Sequence, residues 1–176
     1  RFESPEKNGV RLVKTYTLKR GSYALDVKHE VVNTGNQPVS PQLYVQLVRG
    51  ATTSGGSFLT NPTGTFTGPA VYTEDQKYQK VEFADIDKNK ADFQKEATSG
   101  WVAMVQHYFA SAWILPDGLK RENFVRKIDD TLYSVGMIAP LQAVAPGASQ
   151  AVPVTLVTGP QQEKVLEEVA PGLDLG

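Results

Sequence analysis

Apolar and polar residues alternate with a period of two along most of this chain, and the alternation lapses in one conspicuous stretch. Between Val10 and Lys19, the residues Val10, Leu12, Tyr16 and Leu18 fall on one side and Arg11, Thr15, Thr17 and Lys19 on the other, as in a strand with one wet face. Arg20-Gly21-Ser22 interrupts the run, and Tyr23, Leu25, Val27, His29 and Val31 then alternate with Asp26, Lys28 and Glu30. The two runs predict an antiparallel hairpin. Asn33-Thr34-Gly35-Asn36 ends the second run, and Val39, Leu43, Val45 and Leu47 form a third. Its Pro38 and Pro41 place the first part at a sheet edge or make it irregular.

The lapse is Gly100 to Pro116, which holds both tryptophans and no charged residue. Read as one strand, it puts Trp101, Ala103, Val105, His107, Phe109, Ser111, Trp113 and Leu115 on one face. Val102, Met104, Gln106, Tyr108, Ala110, Ala112 and Ile114 take the other. Two apolar faces predict a strand covered on both sides. Its length predicts a bulge or bend near Gln106-His107. A buried helix is the competing reading; the bounding Gly100 and Pro116-Asp117-Gly118 and the aromatic content favour the strand. Trp101, Val105, Phe109 and Trp113 are accordingly the expected structural core.

Shorter runs fill the rest. Val71-Tyr72 and Tyr78 to Phe83 are strand-like, and Ile86 and Phe93 anchor a helical turn within the charged stretch Asp85 to Phe93. Phe124 to Ile128 and Leu132 to Val135 predict strands broken at Asp129-Asp130. Leu141 to Val144 and Ala151 to Thr158, around Ala145-Pro146-Gly147, predict a terminal hairpin. Residues 50 to 70 are rich in Gly, Ser and Thr and read as a long connection, with no nucleophile elbow or phosphate-binding spacing. After Gly159-Pro160 the composition turns helical, with Val165, Leu166 and Val169 on one face and Pro171-Gly172 as the stop. The expected division is a β-sandwich body over 1–160, then a C-terminal helix and linker over 161–176.

Composition narrows the function classes. The chain has 176 residues, a one-domain length, with 18 basic and 19 acidic residues. Near neutrality argues against nucleic acid as a partner. Cysteine is absent, which removes thiolate metal sites, disulfides and a cysteine nucleophile. No apolar run reaches the roughly 18 residues needed to span a bilayer. The start at Arg1 rather than Met makes a piece of a longer protein the expectation.

Candidate chemistry is sparse. The two histidines, His29 and His107, lack a paired ligand motif, and a histidine on an apolar face is usually a hydrogen-bonded core residue. Asp85 and Asp87 sit beside Lys88 and Lys90 without the glycine and terminal glutamate of a calcium loop. Asp129-Asp130 and Glu167-Glu168 are adjacent pairs, which on a strand point to opposite faces. No catalytic, cofactor-binding or metal-binding residue is therefore expected, and no cofactor.

Several segments carry a resemblance: Lys14 to Tyr23, Val31 to Gly35, Thr67 to Ala70, Lys77 to Phe83, Gly100 to Trp113, and Gly159-Pro160 through Ala170-Pro-Gly-Leu-Asp-Leu175. Gly-Trp-Val-Ala-Met-Val-Gln-His-Tyr-Phe and the closing Ala-Pro-Gly-Leu-Asp-Leu are the specific parts. In this order they resemble the large periplasmic domain of the Gram-negative YidC family of membrane protein insertases. The resemblance implies a mainly β fold, an antiparallel β-supersandwich like galactose mutarotase, truncated at its N-terminus and followed by a short C-terminal helix. It implies a non-catalytic periplasmic accessory domain of a bacterial inner-membrane protein. The implied partners are the membrane part of the same protein, accessory subunits of the Sec translocon, and substrate membrane proteins, with Val165, Leu166 and Val169 as a docking helix. The rival is a carbohydrate-binding or mutarotase-like sandwich, which rests on fold similarity alone.

Overall fold

The computed structural model describes residues 1–18, 23–50, 68–105 and 109–160, with backbone only at Phe109 and Pro160. Its elements are the strands Phe2–Glu3 (β1), Val10–Leu18 (β2), Ala24–Asn33 (β3), Gln42–Gly50 (β4), Gly68–Thr73 (β5) and Lys77–Lys80 (β6), then the helix Phe83–Asp87 (α1). Six more strands follow: Glu96–Ala97 (β7), Trp101–Val105 (β8), Phe109–Ile114 (β9), Arg121–Lys127 (β10), Leu132–Pro140 (β11) and Ser149–Pro160 (β12). They form an eight-stranded sheet, β1-β2-β3-β12-β9-β8-β5-β6, and a four-stranded sheet, β4-β11-β10-β7. All pairings are antiparallel, which makes the fold a two-layer sandwich.

One core lies between the sheets. Val71, Val102, Met104, Val152 and Val154 of the large sheet meet Leu43, Val45, Val135, Met137 and Ala139 of the small one. Each such side chain contributes on the order of 1.5–3 kcal/mol relative to exposure. Small and β-branched residues dominate because two pleated faces must interdigitate without voids. α1 joins this layer through Phe83, whose ring lies 4.5 Å from that of Tyr133.

The uncharged stretch departs from a single long strand. It is a hairpin: β8 and β9 pair antiparallel, from Trp101 opposite Ile114 to Val105 opposite Ala110. The bend that the sequence predicts near Gln106-His107 falls on residues 106–108, which lie outside the described residues. Two apolar faces fit either arrangement, and pairing settles the choice: folded back, β8 bonds β5 and β9 bonds β12, so both runs have ladder neighbours on each side. Reversal also inverts the face assignment. Cross-strand partners share a face, so Trp113 sides with Val102 and Met104, while Trp101 and Val105 occupy the opposite face. The two tryptophans serve different layers.

Two further expectations are corrected. Residues 141–144 do not form a hairpin with the following strand; Val144 bridges only to Val39, and β12 inserts between β3 and β9. Val152, Val154 and Val157 are all buried, and they belong to both faces of a central strand. The apolar side of β2 does not reach an interior: Leu12, Tyr16 and Leu18 are 46%, 51% and 72% exposed. They share the face of Val27 and Val31, both buried, but lie nearer the sheet edge, where that cover gives out.

Candidate functional site

The large sheet buries a second apolar cluster on the face away from the small sheet. Trp101 and Val105 are buried there with Ala70, Ala103, Ala112 and Val157. Alanines floor the cluster and aromatics wall it: the Tyr72 ring stacks on Trp101 at 5.4 Å and 7°, and Tyr78 lies tilted at 5.9 Å. Gly100 initiates β8 with φ +91°, and a Cβ there would lie 1.8 Å from the Tyr72 carbonyl oxygen, so only glycine lets these backbones approach. Burial drives the Tyr78 phenol up to about 12. Trp113, on the inner face, donates its indole N–H to the Gln46 carbonyl of β4 at 3.1 Å and so ties the two layers together. The side chains of Phe109 and His107, and all of Val165, Leu166 and Val169, lie outside the described residues, as does the division at residue 161.

Two buried polar side chains, Arg121 and Asn33, are engaged in structural ties. Arg121, 1% exposed, is the largest fully buried side chain among the described residues. Its Nε donates to Leu119 O, Nη1 to Gly100 O, and Nη2 to both Thr98 O and Pro116 O. The guanidinium thus gathers the connections on either side of the β8–β9 hairpin. Burial lowers its pKa and Asp117 opposes that shift. Asn33 plays a similar part at the other end, donating through Nδ2 to Gln37 O and Val144 O and accepting from Gly35 N. Sequence reasoning passed over Arg121 and read Asn33 only as the start of a turn. An arginine opening an otherwise amphipathic strand carries no signal until the loops around it are placed.

Asp87, at the end of α1, accepts from the Tyr133 hydroxyl at 2.6 Å and pairs with Lys127 at 2.9 Å. The Tyr133 bond first, and then Lys127, hold its carboxyl below the usual range. Asp129 is also lowered, chiefly by the Thr131 backbone N–H in the β10–β11 turn. A depressed carboxylate contributes stability that is present above its unfolded pKa of about 4 and is lost as pH falls through the folded value. For these two carboxylates the urea midpoint is therefore expected to fall as pH drops below about 4. Asp87→Ala is expected to lower the neutral-pH midpoint and make the acid limb shallower; an unaltered limb counts against the tie.

His29 is half-buried on β3 between Lys14 and Val152 of the neighbouring strands. Burial first, then Lys14, lowers its pKa, so the ring is neutral at neutral pH. Neither cross-strand neighbour is an acid. Among the described residues no three His, Asp or Glu side chains converge as metal ligands, and no helix is long and apolar enough to cross a membrane. On the outer face of the small sheet, Tyr44 and Phe124 stack at 5.3 Å across Gly136, and the Arg126 guanidinium lies 4.4 Å from the Phe124 ring centre. This rigid amphipathic ledge is suited to contact with another surface.

The geometry has counterparts in solved structures. A putative aldose 1-epimerase from Escherichia coli K12 superposes with a TM-score of 0.51 at 12% identity, over 90% of this chain and 63% of that one. A galactose mutarotase-like protein from Lactobacillus casei ATCC 334 gives 0.51 at 11% identity, over 85% and 63%. At such identities the likeness shows the fold, a galactose-mutarotase-like antiparallel sandwich. Sequence relatives are nearer: the membrane protein insertases YidC of Burkholderia thailandensis and Burkholderia cenocepacia are each 52% identical over 174 residues, 99% of this chain. The chain spans 31% of the length of those relatives. The family model described as the YidC periplasmic domain matches residues 1–176. The chain therefore belongs to the YidC periplasmic domain family and is a periplasmic domain of a bacterial inner-membrane protein.

Proposed function

We propose that this domain supports the insertion and folding of inner-membrane proteins by protein contact, without catalysing a reaction. Its family membership carries the reading, and the internal ties of three of its polar side chains, two buried and one exposed, support it. Arg121, Asn33 and Asp87 are occupied by backbone carbonyls, a hydroxyl and an ion pair within the domain. A sandwich tied in this way serves as a rigid platform. Its partners are the membrane part of the same protein, accessory subunits of the Sec translocon and substrate membrane proteins. The body is 1–160, and segment 161–176 couples it to the membrane part, with Val165, Leu166 and Val169 as the docking face.

Two measurements test this. Photocrosslinkers placed at Tyr44 and Val48 of the full-length insertase in native envelopes are expected to trap membrane proteins, while Tyr72 variants, placed beside Trp101, trap none. Mutarotation of glucose and galactose by the same protein should equal the uncatalysed rate, with His29→Ala and His107→Ala causing no change. Saturable sugar turnover that is lost in either variant replaces this reading with the carbohydrate one. Making Val165, Leu166 and Val169 polar together is expected to reduce insertion severalfold with the body still folded; undiminished insertion removes the docking role.

A further inference from the structure

The outer face of the small sheet is complementary to itself. Its register sets three rows across β10, β11 and β4: Glu122, Ile138 and Tyr44; Phe124, Gly136 and Gln46; Arg126, Ser134 and Val48. Val125 packs into the core between the sheets, which turns its neighbours Phe124 and Arg126 outwards. Gly136 leaves the middle row low, and the Phe124 ring lies across it against Tyr44 and Arg126. Tyr44 and Val48, in the two outer rows, are 45% and 49% exposed. The charges of this face are unpaired. β7 extends the first row with Glu96, directly opposite Glu122, and like charges so placed repel. Both acids are exposed, as is Arg126, and among the described residues the ion pairs are those of Arg1 with Glu3 and Lys127 with Asp87. Two acids without a cation thus stand at one end of the face and a cation without an acid at the other. Four residues of β10 separate them, about 13 Å, too far to pair within one copy.

We propose that this face packs on the same face of a second copy, about a twofold axis running along the middle row from Phe124 through Gly136 to Gln46. That rotation keeps each strand over its equivalent and exchanges the outer rows. Glu122, with Glu96 beside it, then meets Arg126 of the second copy, and the symmetry makes the contact twice. Tyr44 meets Val48 of the second copy, also twice. A twofold along the strands would instead set Arg126 over Val48 and leave every charge unpaired, so the charges select the first axis. Strands so related run antiparallel across the interface, within the aligned packing open to two sheet faces. Three strands about 4.8 Å apart and five residues about 3.4 Å apart make a patch of roughly 15 by 17 Å, well short of the roughly 800 Å² per partner of a stable complex. The association is therefore weak, and it is favoured where copies share one bilayer at high effective concentration. It does not rest on the accessory role: a second copy and a substrate exclude each other on this surface, and their crosslinks differ in mass.

The test is a charge exchange in the full-length insertase, made in native envelopes as two differently tagged copies with a photocrosslinker at Gln46, an exposed position on the axis. The parent is expected to give an adduct of twice the monomer mass that carries both tags. Arg126→Glu alone and Glu122→Arg alone each set like charges together in both contacts, and each is expected to lower that adduct about tenfold or more. Co-expressed with one tag on each, the two variants bring opposite charges together again in both contacts, and the doubly tagged adduct is expected to return to near the parent yield. That recovery separates a lost contact from a damaged fold, because it uses the same two chains. A parent that yields no doubled adduct overturns the proposal, whatever other proteins it traps. So does an adduct undiminished in the single variants, or one that stays low when the two are mixed.

Discussion

Gly136→Ala is expected to destabilise the domain by about 3 kcal/mol or more, at the upper end of what overpacking costs. Gly136 sits in the middle of β11, opposite Gln46 of β4 and Phe124 of β10. A Cβ there would lie 2.3 Å from the Val45 carbonyl oxygen and 2.5 Å from Phe124 Cζ. The ring cannot retreat freely, because Tyr44 stacks on it and Arg126 lies against it. The carbonyl belongs to the β4–β11 ladder and moves only with the strand. Gly147 is the control: a Cβ there meets nothing within 4 Å, and its φ of +77° leaves only the left-handed backbone cost of roughly 1–2 kcal/mol. Urea unfolding of the two alanine variants checks the contrast. Equal midpoints would remove the close approach at Gly136 as the reason for its glycine.

Arg121→Met is expected to cost a similar amount, about 3–5 kcal/mol. Four carbonyl oxygens, those of Thr98, Gly100, Pro116 and Leu119, lose the guanidinium in one step, while Thr98 O keeps the Gly118 N–H and Pro116 O the longer bond from the Leu119 N–H. An unsatisfied buried acceptor costs about 1–3 kcal/mol, and relaxation towards water recovers part of the sum. Arg121→Lys retains the charge but brings a point donor where a planar fork spans several acceptors, so an intermediate loss is expected. Hydrogen exchange should show the damage first in 98–100 and 116–119, the connections that the guanidinium gathers. Uniform exchange across the sandwich in Arg121→Met, or stability equal to the parent, contradicts this role.

The first two wet-faced runs, the break at Asp129-Asp130 and the buried tryptophan stretch were legible in the chain, because a strand's side-chain period is local. The order of strands was not. β12 pairs with β3, far earlier in sequence, and with β9, so nothing within a few residues of Ala151 announces its neighbours. The stretch from Gly100 to Pro116 marks the limit most clearly. Its apolarity on both faces was visible, but two apolar faces do not reveal a reversal, and the antiparallel pairing of β8 with β9 sends Trp101 and Trp113 to opposite layers. For β2, the pattern identified the apolar side, and only the narrower second sheet left Leu12, Tyr16 and Leu18 uncovered.

By itself, then, the sequence determined the β class, most of the segments that become strands and the family, since alternation and contiguous motifs are short-range properties of a chain. The tertiary structure alone decided which strands are neighbours, which face each tryptophan serves, and that Arg121, Gly136 and Asp87 hold the assembly together. Those outcomes depend on groups far apart in sequence coming within hydrogen-bond or van der Waals distance, and no local pattern encodes such distances.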